Sequence, residues 1–488
     1  MKKSALLIIG GGPAGYVAAL RAAQLGARPL LVEAAELGGT CLNRGCIPTK
    51  SLVESTGLLR RMAGAGEHGI KVGRVSVDLG AMVGRKDRVT RALREALGVL
   101  LPDRGVEIVA GRAVFTGPRE VAVRTGGGAG EIPGEEATGR AGEGRGKDAA
   151  LGTDEERISF EQAIICTGSV PWTPPIPGLD LPGVIGSDEA LSPSEIPESL
   201  AVIGGGAMGC EFASIYRNLG SRVTLIELLP ALVPTEDAEL GEALRFYLEA
   251  AGVRVLTGAR VERVEASGGG LAVHLATESG RETVQVARVL AAVGRRPNTA
   301  SLNLAAAGVA TGRRGEIPVD AAMRTNVPGL FAAGDVTGGI LLAHVGFEQG
   351  VVAAENAMGV ASRFSPGIVP RCVYTEPEVA AVGLTEAAAV AEGYEVAVGR
   401  FPFANSGRAM AMGAPEGFVK VVAEAGSGQL LGVHIIGPHA TELVAEAALA
   451  LHHGTSIEDV ARLIHAHPTL SEAFKEAVLD ARGEAIHK

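Results

Sequence analysis

The stretch LLIIGGGPAG, residues 6–15, decides the fold. A short apolar run meets three glycines in a row, and Pro13 then opens an Ala-rich stretch of helical character. The pattern returns at residues 200–209 as LAVIGGGAMG. In both copies an acid follows the first glycine by 23 positions and closes a second apolar run: Glu33 ends PLLVE (29–33) and Glu227 ends VTLIE (223–227). Strand, glycine turn, helix, strand, acid is a βαβ unit, here written twice. One glycine triplet is a weak signal; two, each with a correctly spaced acid, are specific. Gly10 and Gly204 permit the tight turn, Gly12 and Gly206 let backbone approach a pyrophosphate, and Gly15 and Gly209 let the helix pack on its strand. The helix N-terminus offers unpaired N–H groups and the positive end of its dipole to phosphate. Glu33 and Glu227 can accept hydrogen bonds from ribose hydroxyls. The sequence therefore predicts two dinucleotide sites. At the second, Glu227 followed by Leu228 and Leu229 disfavours a 2′-phosphate, so NAD is expected over NADP. Arg222, on the approach to that strand, is the opposing signal.

Outward from these units the chain reads as α/β. Its 488 residues leave room for about three domains. With 47% hydrophobic residues the composition is globular, and a net charge of −10 argues against an electrostatic nucleic-acid binder. The 69 glycines, against 3% aromatics, fit tight turns and close backbone approaches better than a stacking surface. No apolar run nears the roughly 20 residues of a membrane helix. Ala5–Ile9 runs straight into glycine and is shorter than the roughly 7–15 residues of a signal-peptide core, so a cytoplasmic protein is expected.

Residues 126–148 hold nine glycines in 23 positions and almost nothing apolar, between strand-like VAV (121–123) and ISFEQAIIC (158–166). The expectation there is a long, mobile hairpin tip. From about residue 366 the pattern becomes α+β without a glycine fingerprint. VKVVAE (419–424) and LLGVHIIG (430–437) read as paired strands, and TELVAEAALALHHG (441–454) as an amphipathic helix ended by Gly454.

Five cysteines, an odd number, do not make a disulfide framework. Cys41 and Cys46 stand in GGTCLNRGCIPTK (38–50), separated by four residues. The following IPTKSLVESTGLL reads as a helix with Pro48 in its first turn, so Cys46 lies near a helix N-terminus, where the dipole favours a thiolate. A pair this close suggests a redox couple rather than a structural staple; the plainer alternative is two packed thiols. No second Cys or His pair has zinc-ligand spacing, and no metal is expected. Cys166, Cys210 and Cys372 read as packing residues. In HAHPTLSEAF (465–474), Pro468 and Ser471-Glu472 suggest a helix start just after His467, from which Glu472 could orient the imidazole. Taken alone, a histidine in such a tail is usually a surface or core residue, and His465 is read that way.

GGTCLNRGCIPTK resembles the active-site segment of the FAD-dependent pyridine nucleotide–disulfide oxidoreductases. HAHPTLSEAF and FPFANSGRAM (401–410) are similar to the dihydrolipoamide dehydrogenase branch of that family. The resemblance covers the chain apart from residues 126–148. It implies two Rossmann-like domains for FAD and NAD and a C-terminal α+β dimerisation domain. The implied division is 1–172 (FAD, with the insert), 173–295 (NAD), 296–366 (a central segment completing the FAD site) and 367–488 (interface). Gly10, Gly12, Gly15 and Glu33 would hold the FAD pyrophosphate and ribose, and backbone at Ala113 the adenine. Thr167, Gly168 and Ser169 would lie along FAD, and Asp335 near its ribityl–phosphate region. Leu341, Leu342, Ala343 and His344 would approach the isoalloxazine by backbone. Lys50 would sit by the flavin, paired with Glu211. Gly204, Gly206, Gly209, Glu211, Glu227 and Gly294 would contact NAD.

The resemblance also implies a reaction. A dihydrolipoamide thiol would lose its proton to His467, oriented by Glu472 and serving the partner subunit's active site, which implies a homodimer. The thiolate would attack Cys41, Cys46 would face the flavin, and a hydride would pass to NAD⁺. The lipoyl group would come from a protein of a 2-oxo acid dehydrogenase or glycine cleavage complex. The alternatives are a glutathione-type reductase, which would want arginines where Glu227-Leu228-Leu229 stands, and a mercuric reductase, which would carry a further Cys pair near the C-terminus where GEAIHK stands. A third is a non-thiol diaphorase or scaffold flavoprotein.

Overall fold

The computed structural model describes residues 1–124 and 155–488, grouped into two compact units. The hairpin tip expected at 126–148 lies outside the described residues. The first unit comprises residues 1–48, 87–172 and 294–365; the second comprises 49–86, 173–293 and 366–488.

The first unit is built on a seven-stranded sheet in the order Glu107–Ala110, Leu30–Glu33, Lys2–Ile9, Glu155–Ile165, Glu120–Arg124, Arg112–Gly117, with Leu330–Ala332 added on Glu155–Ile165. Leu6, Leu7, Ile8 and Ile9 are all buried, as an unalternating apolar run must be in a parallel sheet covered on both faces. Lys2–Ile9 pairs in parallel with Leu30–Glu33 on one side and Glu155–Ile165 on the other. Glu155–Ile165 splits its far edge: its first half pairs antiparallel with Glu120–Arg124, starting at Arg124↔Glu155, and its last residues pair in parallel with Leu330–Ala332. The helix Pro13–Gln24 follows the glycine turn and buries Ala14, Gly15, Ala18, Ala19 and Ala22. These small residues let it lie close to its neighbours. A Cβ at Gly15 would sit 1.8 Å from the Gly10 carbonyl oxygen, and one at Gly350, in the helix Ala343–Ala357, would sit 2.3 Å from that of Ala14.

The second unit repeats the βαβ start. Its parallel sheet runs Arg254–Leu256, Arg222–Ile226, Ser199–Ile203, Arg288–Ala291, Val184–Ile185. The helix Ala207–Asn218 follows the second glycine turn, and a Cβ at Gly209 would again lie 1.8 Å from the carbonyl oxygen of the turn's first glycine, Gly204. The C-terminal part carries an antiparallel five-stranded sheet, Arg371–Val373, Glu378–Gly383, Leu430–Gly437, Phe418–Glu424, Val396–Pro402. The strands expected at 419–424 and 430–437 pair within it. The helix Ala440–His452 ends close to the expected Gly454. Among the described residues no helix is long and apolar enough to cross a membrane.

A buried polar knot holds this sheet to the helix Ala238–Ala250 within the second unit. Lys420, 2% exposed, reaches Asp237 at 2.9 Å, Glu239 at 2.6 Å and Glu386 at 2.7 Å. Asp237 also caps that helix by accepting from the Glu239 N–H. The hydrogen bond from Arg400, followed by that from Lys420, outweighs burial and holds the Glu239 carboxyl down at about 2. His434 is fully buried, and its Nε2 lies 3.0 Å from the Leu384 carbonyl, to which it donates. Burial pushes this imidazole from 6.5 down to about 4, against the opposing charge of Asp237. Between those values the unfolded chain binds a proton that the folded chain does not, so stability falls as the pH drops. Fully expressed, the effect is about 3 kcal/mol. In thermal unfolding followed from pH 7 to pH 4, His434→Gln is expected to lose less stability than wild type. Parallel pH profiles for the two proteins would refute this.

Candidate active site

Each glycine turn is tied to its acid in the same way. Glu33 accepts the Gly11 N–H at 2.6 Å and the Ala35 N–H at 2.7 Å. Glu227 accepts the Gly205 N–H at 2.5 Å and the Leu229 N–H at 2.7 Å. A carboxylate has about four acceptor positions, so both acids keep capacity for ribose hydroxyls. Gly10 and Gly204 take φ of +101° and +111°, the left-handed region that only glycine enters cheaply. Arg222 is exposed and pairs with Glu198 at 2.8 Å. It starts the strand Arg222–Ile226, at the opposite end from Glu227, so the opposing signal for a 2′-phosphate falls away. Gly294, with φ of +113°, lies just past the strand Arg288–Ala291.

In the first unit several backbones meet around the first turn. Gly39 takes φ of +57°, and a Cβ there would lie 2.7 Å from the Gly12 Cα. A Cβ at Gly346 would lie 3.6 Å from the Ala14 nitrogen and 3.7 Å from the Gly334 Cα. The N-termini of Pro13–Gln24 and Ala343–Ala357 therefore converge on the turn before Asp335. Leu342 caps the second of these helices, Ala343 and His344 are its first residues, and Leu341 precedes it at the surface. Two helix N-termini beside a glycine turn form a cradle that a pyrophosphate fits. Asp335 accepts the Ser169 hydroxyl at 2.5 Å. Thr167 donates its hydroxyl to the Asn298 carbonyl at 2.8 Å, and the Gly168 carbonyl accepts the Asn298 N–H at 3.0 Å. Ala113 is buried in Arg112–Gly117, next to Gly111, whose N–H donates to the Glu33 carbonyl at 2.8 Å.

The redox segment folds back on itself beside this cradle. Cys41 lies on a short helix, Gly39–Arg44, that no apolar periodicity in the sequence announces. Gly45 alone separates it from Cys46, the first residue of the helix Cys46–Gly64. A Cβ at Gly45 would lie 3.0 Å from the Thr40 carbonyl oxygen and 3.5 Å from the Cys41 Cα. Both cysteines are half-buried, and Cys46 stands where the helix dipole favours a thiolate. Burial, then the charge of Cys41, raises the Tyr16 phenol, which brings Tyr16 into the same electrostatic neighbourhood.

In the second unit Lys50 pairs with both Glu211 oxygens at 2.9 Å. The Tyr374 N–H donates to Glu211 at 3.0 Å, and the Lys50 ammonium lies 4.4 Å from the Tyr374 ring centroid, a cation–π contact. Tyr374 carried no signal in the sequence beyond its neighbourhood YTEPE. His467 Nδ1 meets Glu472 at 3.0 Å, while the imidazole is 80% exposed. A carboxylate only accepts, so Nδ1 carries the hydrogen and Nε2 is left to take a proton. The helix begins at Glu472, not just after His467. The intervening residues form a turn in which the Thr469 N–H donates to Glu472 at 2.8 Å and the Thr469 hydroxyl to the Ala466 carbonyl at 2.7 Å. Burial alone would raise the Glu472 carboxyl, but the hydrogen bonds from Thr469 and His467 prevail and hold it below its ordinary range. His465 is buried against Glu446 at 2.8 Å. Cys166 and Cys210 are buried packing residues, and Cys372 is half-buried.

Comparison with known proteins agrees with this geometry. A family described as pyridine nucleotide-disulphide oxidoreductase matches residues 4–350, and its dimerisation domain matches residues 369–478, which supports a homodimer. Dihydrolipoyl dehydrogenase of Thermus scotoductus is 44% identical over 100% of this chain and 99% of its own. That of Chlorobaculum tepidum is 42% identical over 97% and 96%. The solved structure of LpdA from Mycobacterium tuberculosis superposes with a TM-score of 0.84 at 27% identity, covering 98% of this chain and 99% of the other. Two glycine cradles, a close cysteine pair beside the first and a full-length family match lead to one conclusion: the chain belongs to the pyridine nucleotide–disulphide oxidoreductases.

Proposed function

We propose that this chain is a dihydrolipoyl dehydrogenase, oxidising protein-bound dihydrolipoamide with NAD⁺. The observation that carries the reading is the Cys41–Cys46 segment packed, backbone to backbone, on the first glycine turn, in a chain that matches relatives of that name end to end. Overall, dihydrolipoamide gives up two electrons and two protons as its sulfurs join. NAD⁺ takes the electron pair and one proton as hydride, and the second proton goes to solvent.

The residues divide the work. The partner subunit's His467 takes a substrate thiol proton at Nε2 while Glu472 fixes the imidazole through Nδ1. The thiolate sulfur bonds to Cys41, the Cys41–Cys46 bond breaks, and Cys46 keeps the electron pair. The second substrate thiol gives up its proton and attacks the first sulfur, expelling Cys41 as thiolate and releasing the cyclic disulfide. Bound FAD supplies the two-electron carrier between the dithiol and the nicotinamide. Gly10, Gly12, Gly15, Glu33, Ala113, Thr167, Gly168, Ser169, Asp335 and the 341–344 backbone would hold it. Lys50, paired with both oxygens of Glu211, would stand by the flavin and offset negative charge on it. Gly204, Gly206, Gly209, Glu211, Glu227 and Gly294 would hold NAD.

The proposed division is 1–172 for the FAD fold, 173–295 for the NAD fold, 296–366 for the returning central segment and 367–488 for the interface. A lipoyl-bearing protein of a 2-oxo acid dehydrogenase or glycine cleavage complex is the proposed partner, and the cytoplasm the proposed setting, where a close thiol pair cycles rather than staples. Purified protein loaded with FAD is expected to form NADH from dihydrolipoamide and NAD⁺, with NADP⁺ a much poorer acceptor. A yellow protein that forms no NADH in a dihydrolipoamide-dependent manner would overturn the reading.

A further inference from the structure

We infer that Arg295 is a positioning residue: it ties the carboxylate Asp335 to the segment carrying Cys41, and its charge keeps the reduced dithiol ionised. The inference rests on the function proposed above. Arg295 opens the strand Arg295–Pro297, which pairs antiparallel with Ser169–Pro171. Its guanidinium forks onto one residue: Nε donates to the Ser169 hydroxyl and Nη2 to the Ser169 carbonyl, both at 2.7 Å. Ser169 is buried and donates its own hydroxyl to Asp335 at 2.5 Å. The arginine's grip thus fixes the direction in which Ser169 points, and with it the Asp335 carboxylate. The same Nη2 lies 3.4 Å from the Thr40 hydroxyl, one residue before Cys41.

Two consequences follow from the chemistry of the guanidinium. Its planar fork satisfies the Ser169 hydroxyl and carbonyl together, which a lysine's single ammonium on a flexible stem does not reproduce. It also stays charged at every working pH. A fixed cation beside the redox segment favours thiolate over thiol and lowers the pH at which the reduced pair ionises. The fork serves the cradle and the charge serves the sulfurs, so the two roles are separable.

FAD-loaded full-length wild type, Arg295→Lys and Arg295→Met are reduced with NADH and alkylated with iodoacetamide across a pH series. Flavin release on dilution is followed by fluorescence. Arg295→Met is expected to raise the midpoint of thiol reactivity by about one pH unit and to release flavin about tenfold faster. Arg295→Lys is expected to restore the thiol midpoint but not the flavin retention. Wild type without NADH-exposed reactive thiols would sink the proposed function and this inference together. Wild type that behaves as expected, with a folded Arg295→Met matching it in both readouts, would overturn the inference alone. If Arg295→Met does not fold, Arg295→Lys with wild-type flavin release overturns the positioning role.

Discussion

Replacing Cys46 with serine is expected to leave a yellow protein with no measurable lipoamide turnover, and Cys41→Ser is expected to do the same. A serine hydroxyl cannot form the mixed disulfide that accepts the substrate's electrons, nor hold the pair as a thiolate. The loss should be complete because each sulfur occupies a different step. Flavin should stay bound, because the cradle is built from backbone at Gly12, Gly39 and Gly346 rather than from the cysteines. NADH oxidation with a quinone acceptor should survive, since it bypasses the dithiol. The checks are the flavin-to-protein absorbance ratio together with the NADH-forming and quinone assays. Substantial lipoamide turnover in either serine variant would remove the sulfur pair from the mechanism.

His467→Ala should lower lipoamide turnover by about 10²–10⁴-fold, the usual worth of a positioned general base. Quinone reduction, which moves no thiol proton, should change little. Glu472→Gln should cost less: the amide oxygen can still accept from Nδ1, but the charge that favours the imidazolium is gone. The carboxyl of Glu472 is held below its ordinary range, so its charge is present above that range and lost only as the pH falls well below it. The wild-type acid limb therefore should not reflect Glu472. Equal loss in the thiol and quinone assays for His467→Ala would mean that the residue supports the fold rather than the proton transfer.

The parts of the site legible in the sequence are those fixed by local sterics. Gly15 and Gly209 had to be glycine because a Cβ would strike the first carbonyl of the same turn, and such a rule spans a few residues. The acid spacing was legible for the same reason: one helix and two strands set it. Less could be read where partners are distant in sequence. Tyr374 meets Glu211, and Arg295 meets Ser169, across well over a hundred residues, with no periodicity to connect them. The helix Gly39–Arg44 is too short for an apolar stripe to announce it. Pro468 is a strong start signal and points to a start just after His467, whereas the turn through Thr469 delays the last helix to Glu472. Nothing within VKVVAE marks its lysine as a buried member of a charge knot.

The contact between Gly39 and Gly12 constrains how the redox segment can vary through evolution. A side chain at Gly39 would strike backbone that already lacks one, so no further trimming at position 12 could make room. Damage there has no second-site suppressor within the pair, and a genetic screen for revertants should return the original glycine or nothing.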